Sequence, residues 1–246
     1  MKNMKILTVF VVLLAAVWLW TGGYSPAPAQ TGDALLDAFN LVEVASVADA
    51  VEQVLGRRAH MSSNIQPLFP SKFSGRAVTV MLKKEEHKEG GAAFQGALDA
   101  IDNGGPGSVY VMVLEDGQDI AGIGGLMGTA MKVRGFAGAI IDGGVRDVPQ
   151  LRKIQFPVFS RPPVPSTSIN HYRFAGANIT VNCAGVEVNA NDIVVADEDG
   201  VAVVPRDRAA EILARAQQLD QTEHQMYPFI EKFKSIKKAV EEFGRI

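Results

Sequence analysis

The stretch Phe136-Ala137-Gly138-Ala139-Ile140-Ile141-Asp142-Gly143-Gly144-Val145-Arg146-Asp147 runs from an apolar segment into two glycines and then an adjacent arginine and aspartate. Phe136 to Ile141 carries no polar side chain and reads as a buried-type strand. Gly143-Gly144 ends it and turns the chain. In α/β folds the ends of strands are where backbone groups and loop side chains converge on a ligand. Arginine offers a planar fork that matches a carboxylate. Aspartate offers a hard oxygen for a divalent cation. Neighbours on a strand point apart, whereas in a turn Arg146 and Asp147 can face one cavity. The bland alternative at this point is a surface ion pair, with Asp147 capping the next helix.

Working outward, Arg76 to Lys83 and Ser108 to Leu114 are Val-rich runs that read as strands. Ala92 to Ile101 has helical spacing and stops at Asn103-Gly104-Gly105-Pro106. Leu126 to Arg134 and Val148 to Ile154 read as short helices flanking the quoted stretch. Upstream, Ser46 is placed to cap a helix with Asp49 three residues on, and that helix stops near Gly56. Downstream, Phe156 to Pro165 is proline-rich and therefore extended or turning. Three strands are expected over Ile179–Val188, Asp192–Ala196 and Gly200–Val204, then a long amphipathic helix from about Asp207. Helices separate the early strands and the late strands follow one another. That order predicts one α/β domain with a mixed sheet, and no repeat or linker after residue 33 divides it.

The first thirty residues are different. Lys2 and Lys5 precede Ile6 to Trp20, where only Thr8 is polar, and Ala27-Pro28-Ala29 follows. A membrane-spanning helix needs roughly 20 apolar residues, and this run is shorter and ends in a small-x-small site. It predicts a signal peptide over residues 1–29, cleaved before Gln30, and a mature domain over 30–246 that is exported, periplasmic or secreted. Contact with a membrane is expected only through that export signal, an uncleaved anchor being the alternative. Both tryptophans, Trp18 and Trp20, leave with it.

Composition narrows the chemistry. The 246 residues carry 24 Lys+Arg against 27 Asp+Glu, a net charge of −3, and this mild acidity is a poor match for a nucleic-acid binder, whose footprint would be a basic face. One cysteine, Cys183, forms neither an internal disulfide nor a thiolate zinc cage, and it reads as a small core residue. The four histidines are scattered without ligand spacing. Asp197-Glu198-Asp199-Gly200 fits no EF-hand loop and reads as a solvated turn. Gly122-Ile123-Gly124-Gly125 before a helix lets backbone N–H groups approach an anion, although no Walker lysine follows and a tight turn explains the glycines equally well.

Taken in order, these segments resemble the RraA-like family, which includes the class II 4-hydroxy-4-methyl-2-oxoglutarate (HMG) aldolases. The resemblance rests on Met61-Ser62-Ser63 with Ile65-Gln66-Pro67-Leu68, Gly124-Gly125-Leu126-Met127 and Arg134-Gly135-Phe136-Ala137-Gly138. It continues through Ile141 to Asp147, Phe159-Ser160-Arg161, Pro165-Ser166-Thr167-Ser168 and Ala196 to Val201. It implies a β/β/α swivelling sandwich, like the phosphohistidine domain, assembled as a homotrimer or a hexamer of stacked trimers with the site between subunits. It further implies that Arg146 grips the carboxylate of a small keto-acid substrate. The backbone of Gly124, Gly125, Leu126 and Met127 would bind the same acid, and Asp147 would ligate Mg²⁺ or Mn²⁺, mostly through water.

The activity implied is that of a divalent-metal-dependent lyase of the HMG aldolase or oxaloacetate decarboxylase type. Such an enzyme cleaves a C–C bond of a pyruvate-derived keto acid through a metal-stabilised enolate. One position departs from the aldolase pattern. The residue after Gly124 is commonly Asp or Glu there, and here it is Gly125. The resemblance also implies a second acid, given by a neighbouring subunit from the C-terminal region, and Glu223 is the residue expected there. The alternatives are a non-catalytic exported keto-acid binder and a protein-interaction member. The family also includes inhibitors of ribonuclease E, a cytoplasmic enzyme that an exported protein could not meet.

Overall fold

The computed structural model describes residues 32–117 and 119–245, so the expected signal peptide lies outside the described residues. The strands are β1 Gln66–Pro67, β2 Phe73–Lys84, β3 Ser108–Leu114, β4 Ala121–Ile123, β5 Gly138–Asp142 and β6 Gly144–Val145. They continue with β7 Val158–Ser160, β8 Tyr172–Ala177, β9 Val181–Cys183, β10 Val186–Val188, β11 Ile193–Asp197 and β12 Gly200–Val204. The helices are α1 Ala34–Phe39, α2 Val44–Leu55, α3 Gln95–Asp102, α4 Gly125–Val133, α5 Val148–Lys153, α6 Ala209–Phe233 and α7 Ile236–Phe243.

Eight strands form a mixed, curled sheet in the order β1-β7-β5-β3-β2-β11-β12, with β8 also paired to β2. Its middle is parallel, β2 to β3 to β5 to β7, and its margins are antiparallel. The twelve-residue β2 makes the curl possible. Phe73 to Arg76 pair with β11, and Val80 to Lys84 pair with β8.

β3 shows why the sheet is buried on both faces. Tyr110, Met112 and Leu114 point into a core with Ala97, Ile101, Met131 and Leu151 of α3, α4 and α5. The alternate residues Val109, Val111 and Val113 point into a second core with Cys183, Val188, Val194 and Val203. A continuous apolar run is what a strand covered on both sides requires. The Tyr110 hydroxyl, fully enclosed, donates to the Ala97 carbonyl at 3.0 Å, and burial holds its pKa far above the usual tyrosine value. A third core lies under α1, α2 and α6, where Phe39, Val47, Ile212 and Ala216 meet Ile193, Val195, Ala202 and Val204. The mixed-sheet α/β architecture expected from the sequence is the one found.

Two local expectations are corrected. The segment Ile179–Val188 is two strands, β9 and β10, paired antiparallel around Ala184-Gly185, both at positive φ (49° and 88°). α2 begins at Val44, which puts Ser46 inside the helix and buried instead of at its cap. Its leading N–H groups are satisfied from far away: Glu43 donates to Asp220 Oδ1 and Val44 to Asp197 Oδ2, each at 3.0 Å. The solvated turn expected over Asp197 to Gly200 is found between β11 and β12, with Glu198 and Asp199 exposed, and Asp197 caps α2 as well. The strand β8 was not expected at all. Cys183 is fully buried, as a small core residue should be.

Candidate functional site

β4 and β6 form a short parallel pair that brings the two glycine-rich segments side by side. Gly144 N–H donates to the Ile120 carbonyl at 2.7 Å, and Arg146 N–H donates to the Ile123 carbonyl at 3.1 Å. These bonds place Arg146-Asp147 directly against the start of α4. Asp147 adopts the left-handed region (φ 57°) at the head of α5, so the chain turns sharply between the two residues. That turn is what lets adjacent side chains face one cleft, the arrangement the sequence left open.

The glycines are required by closeness. A Cβ on Gly124 would sit 2.6 Å from Asp147 Oδ2 and 3.0 Å from Arg146 Cγ. A Cβ on Gly125 would meet Gln150 Cγ at 3.0 Å and Asp147 Cβ at 3.3 Å. With neither present, the Gly125 N–H donates to Asp147 Oδ2 at 2.9 Å. The N–H groups of Leu126 and Met127, next in the first turn of α4, have no partner inside the helix. They add the positive end of the helix dipole to the cleft.

Arg146, Asp147, Gly124, Leu126 and Met127 line one cleft of about 450 Å³, whose other walls come from α3, the turn before it and Thr167-Ser168-Ile169. Arg146 Nε is 3.9 Å from Asp147 Oδ2, too far for a hydrogen bond. The guanidinium is thus free to engage an incoming carboxylate. Both side chains are about half exposed, 43% and 51%.

A divalent ion fits the residues present. Asp147 Oδ1 has no hydrogen-bond partner among the described residues, and the absent glycine side chains leave room beside the carboxylate. Magnesium and manganese accept one protein carboxylate with water and substrate oxygens completing the shell.

Glu223 lies elsewhere in its own subunit. On α6 it accepts from the Tyr227 hydroxyl at 2.8 Å and from Arg245 at 3.2 Å, and it does not line the Arg146 cleft. Nearby, the fold gathers Glu43, Asp220 and His224 so that their ligand atoms come within 4.8 Å, a grouping the sequence did not suggest. Helix capping by Asp220 and a 2.8 Å contact from His224 Nδ1 to the Asp220 carbonyl account for it. The Asp220 carbonyl, with neighbouring acids, raises the His224 pKa.

Two of the quoted segments serve structural roles. Asp142 binds Arg161 at 2.8 Å and accepts the Ala184 N–H at 2.7 Å, tying the end of β5 to the β9-β10 turn. Ser166 Oγ donates to the Asp119 carbonyl and accepts the Ala121 N–H, anchoring the loop that walls the cleft. The α3 wall was missed by sequence reading, since Leu98 and Ile101 are ordinary apolar helix positions until the fold sets them in the cleft with Arg146.

Comparison with known proteins agrees with this architecture. The RraA-like model, Aldolase/RraA, matches residues 44–203. A putative 4-hydroxy-4-methyl-2-oxoglutarate aldolase of Halalkalibacterium halodurans is 26% identical over 72% of this chain and 80% of its own. An uncharacterized protein of Methanocaldococcus jannaschii is 35% identical over 42% of this chain, which spans about half (49%) of that relative. The crystal structure of Streptomyces coelicolor RraAS2, described as an unusual member of the RNase ES inhibitor RraA protein family, superposes with a TM-score of 0.68. It is 27% identical, over 77% of this chain and 93% of that one. With the family model covering most of the described domain, the chain belongs to the RraA-like family.

Proposed function

We propose that this protein is an exported carbon–carbon lyase that binds a 2-oxo acid through Arg146 and requires a divalent cation held by Asp147. The observation that carries the reading is the convergence of Arg146, Asp147 and the start of α4 on one cleft, with Asp147 fixed by the Gly125 N–H. The names of relatives such as the Halalkalibacterium protein support an aldolase-type reaction.

In this reading the substrate carboxylate pairs with the Arg146 guanidinium, and the leading N–H groups of α4 receive the remaining negative charge. Mg²⁺ or Mn²⁺, when bound, supplies Lewis-acid polarisation of the 2-oxo group. The Gly125 N–H holds one oxygen of Asp147, and the other would be left to hold that ion. The bond between C3 and C4 breaks, its electron pair becomes the enolate of pyruvate, and the 4-hydroxyl proton departs as the carbonyl product forms. Gly125 offers no acid to take that proton. We assign the task to Glu223 of a neighbouring subunit, within a homotrimer or a pair of trimers.

Gly125 also favours a second reading, a 2-oxo acid binder without turnover. Proton transfer by a placed side chain is worth about 10²–10⁴-fold in rate, and its absence would leave binding intact. Assaying pyruvate release from 4-hydroxy-2-oxo acids, with and without Mg²⁺ or Mn²⁺, separates the two. Metal-dependent release supports the lyase, and tight binding with no release supports the binder.

A further inference from the structure

The cleft has a second half that the carboxylate and the cation do not use. The same cleft is also lined by Phe94, by Leu98 and Ile101 of α3, and by Met127 and Ala130 of α4. Leu98 and the rim residue Leu126 remain 36% and 89% exposed, so apolar surface faces the cleft with nothing packed on it in this chain. The charges there have one sign. Among the described lining residues Arg146 is the single cation, and the α3 wall instead carries Asp102. Asp102 ends α3, so the negative end of that helix dipole also lies on this wall. A second carboxylate on the substrate would meet an acid, a helix C-terminus and hydrocarbon. An alkyl or aryl group would be removed from water against the apolar side chains of α3 and α4.

Resting on the lyase reading above, we propose that the substrate is a 2-oxo monocarboxylate with an apolar substituent beyond C3, so that cleavage yields pyruvate and an apolar aldehyde or ketone. The carboxylate and 2-oxo group sit at Arg146 and Asp147, and the tail lies between α3 and α4. Oxaloacetate and the dicarboxylate HMG are disfavoured by the same wall.

The test is calorimetric titration of the full chain, with Mg²⁺ present, using pyruvate, 4-methyl-2-oxopentanoate and 2-oxoglutarate. The last two extend pyruvate by similar lengths, one with an apolar end and one with a carboxylate. The branched acid should bind at least about tenfold tighter than pyruvate, since burying each methylene contributes several-fold. 2-Oxoglutarate should bind more weakly than pyruvate. Leu98→Lys, at a half-exposed position, should raise the affinity for 2-oxoglutarate relative to pyruvate and lower that for the branched acid. Pyruvate binding with 2-oxoglutarate as tight as the branched acid, or tighter, would overturn the tail assignment alone. Failure of all three to bind would overturn the 2-oxo acid reading itself, and the tail assignment with it.

Discussion

Arg146 and Asp147 occupy consecutive positions, and their roles differ because the backbone between them turns into the left-handed region. Asparagine tolerates that region better than most residues, so Asp147→Asn should fold with a nearly unchanged Tm while losing divalent-ion affinity. Arg146→Lys keeps the charge and loses the bidentate fork. A charge-assisted hydrogen bond is worth about 1.5–3 kcal/mol, so calorimetry should show pyruvate or oxalate affinity falling at least about tenfold. Gly124 has an extended backbone that any residue can adopt, and its constraint is spatial. Gly124→Ala pushes a methyl group against Asp147 Oδ2 and should abolish ligand binding at little cost in melting temperature. Gly125 is the first residue of α4 and is not at positive φ, so Gly125→Asp meets no backbone strain. Its obstacle is Gln150, and the double change Gly125→Asp, Gln150→Ala should place a carboxylate beside Asp147. In the lyase reading this variant releases pyruvate faster than the unmodified protein.

At the scale of elements, the supports that sequence did not reveal are those supplied from a distance. α2 is capped by Asp220 and Asp197, neither within any local window, which is why Ser46 looked like the start. Asp220→Ala should destabilise the domain by about 1 kcal/mol in denaturant unfolding, the ordinary worth of a helix cap. His224 lies beside Asp220, Glu43 and Glu223, and its raised pKa makes it a stabilising group when charged. That stability is complete below the ordinary value of 6.5 and fades as pH rises through the elevated one. His224→Gln should therefore lower Tm at acid pH and have little effect above pH ~8. The break between β9 and β10 was illegible for a related reason. Alanine at positive φ is not a turn signal, and Ala184 is held there by Asp142 and by Ser62, whose N–H it accepts. β8 escaped because it is half exposed and lacks a clean alternation. Strands buried on both faces were plain. Ser108–Leu114 is legible to its observed limits, because a parallel strand between two cores must be apolar throughout.

For the whole molecule, the two segments that build the cleft were visible in the sequence as glycines and an Arg-Asp pair. Their juxtaposition was not, because it depends on the β4-β6 pairing. The shared-site reading requires assembly. Light scattering at micromolar concentration should return a trimer or a hexamer, and a monomer would remove Glu223 from the chemistry. Export is a separate expectation. N-terminal sequencing of secreted protein should begin at or near Gln30, and the mature protein should emit tyrosine-like fluorescence because both tryptophans precede the cut. The central claim is that Arg146 and Asp147 form one metal-assisted 2-oxo acid site. Oxalate mimics the enolate of pyruvate, and its titration with and without Mn²⁺ into the unmodified protein and Asp147→Asn tests that claim most directly. Tight oxalate binding that needs Mn²⁺ in the unmodified protein, and is lost in Asp147→Asn, is the predicted result. Oxalate affinity indifferent to Mn²⁺, or unchanged by Asp147→Asn, would contradict it.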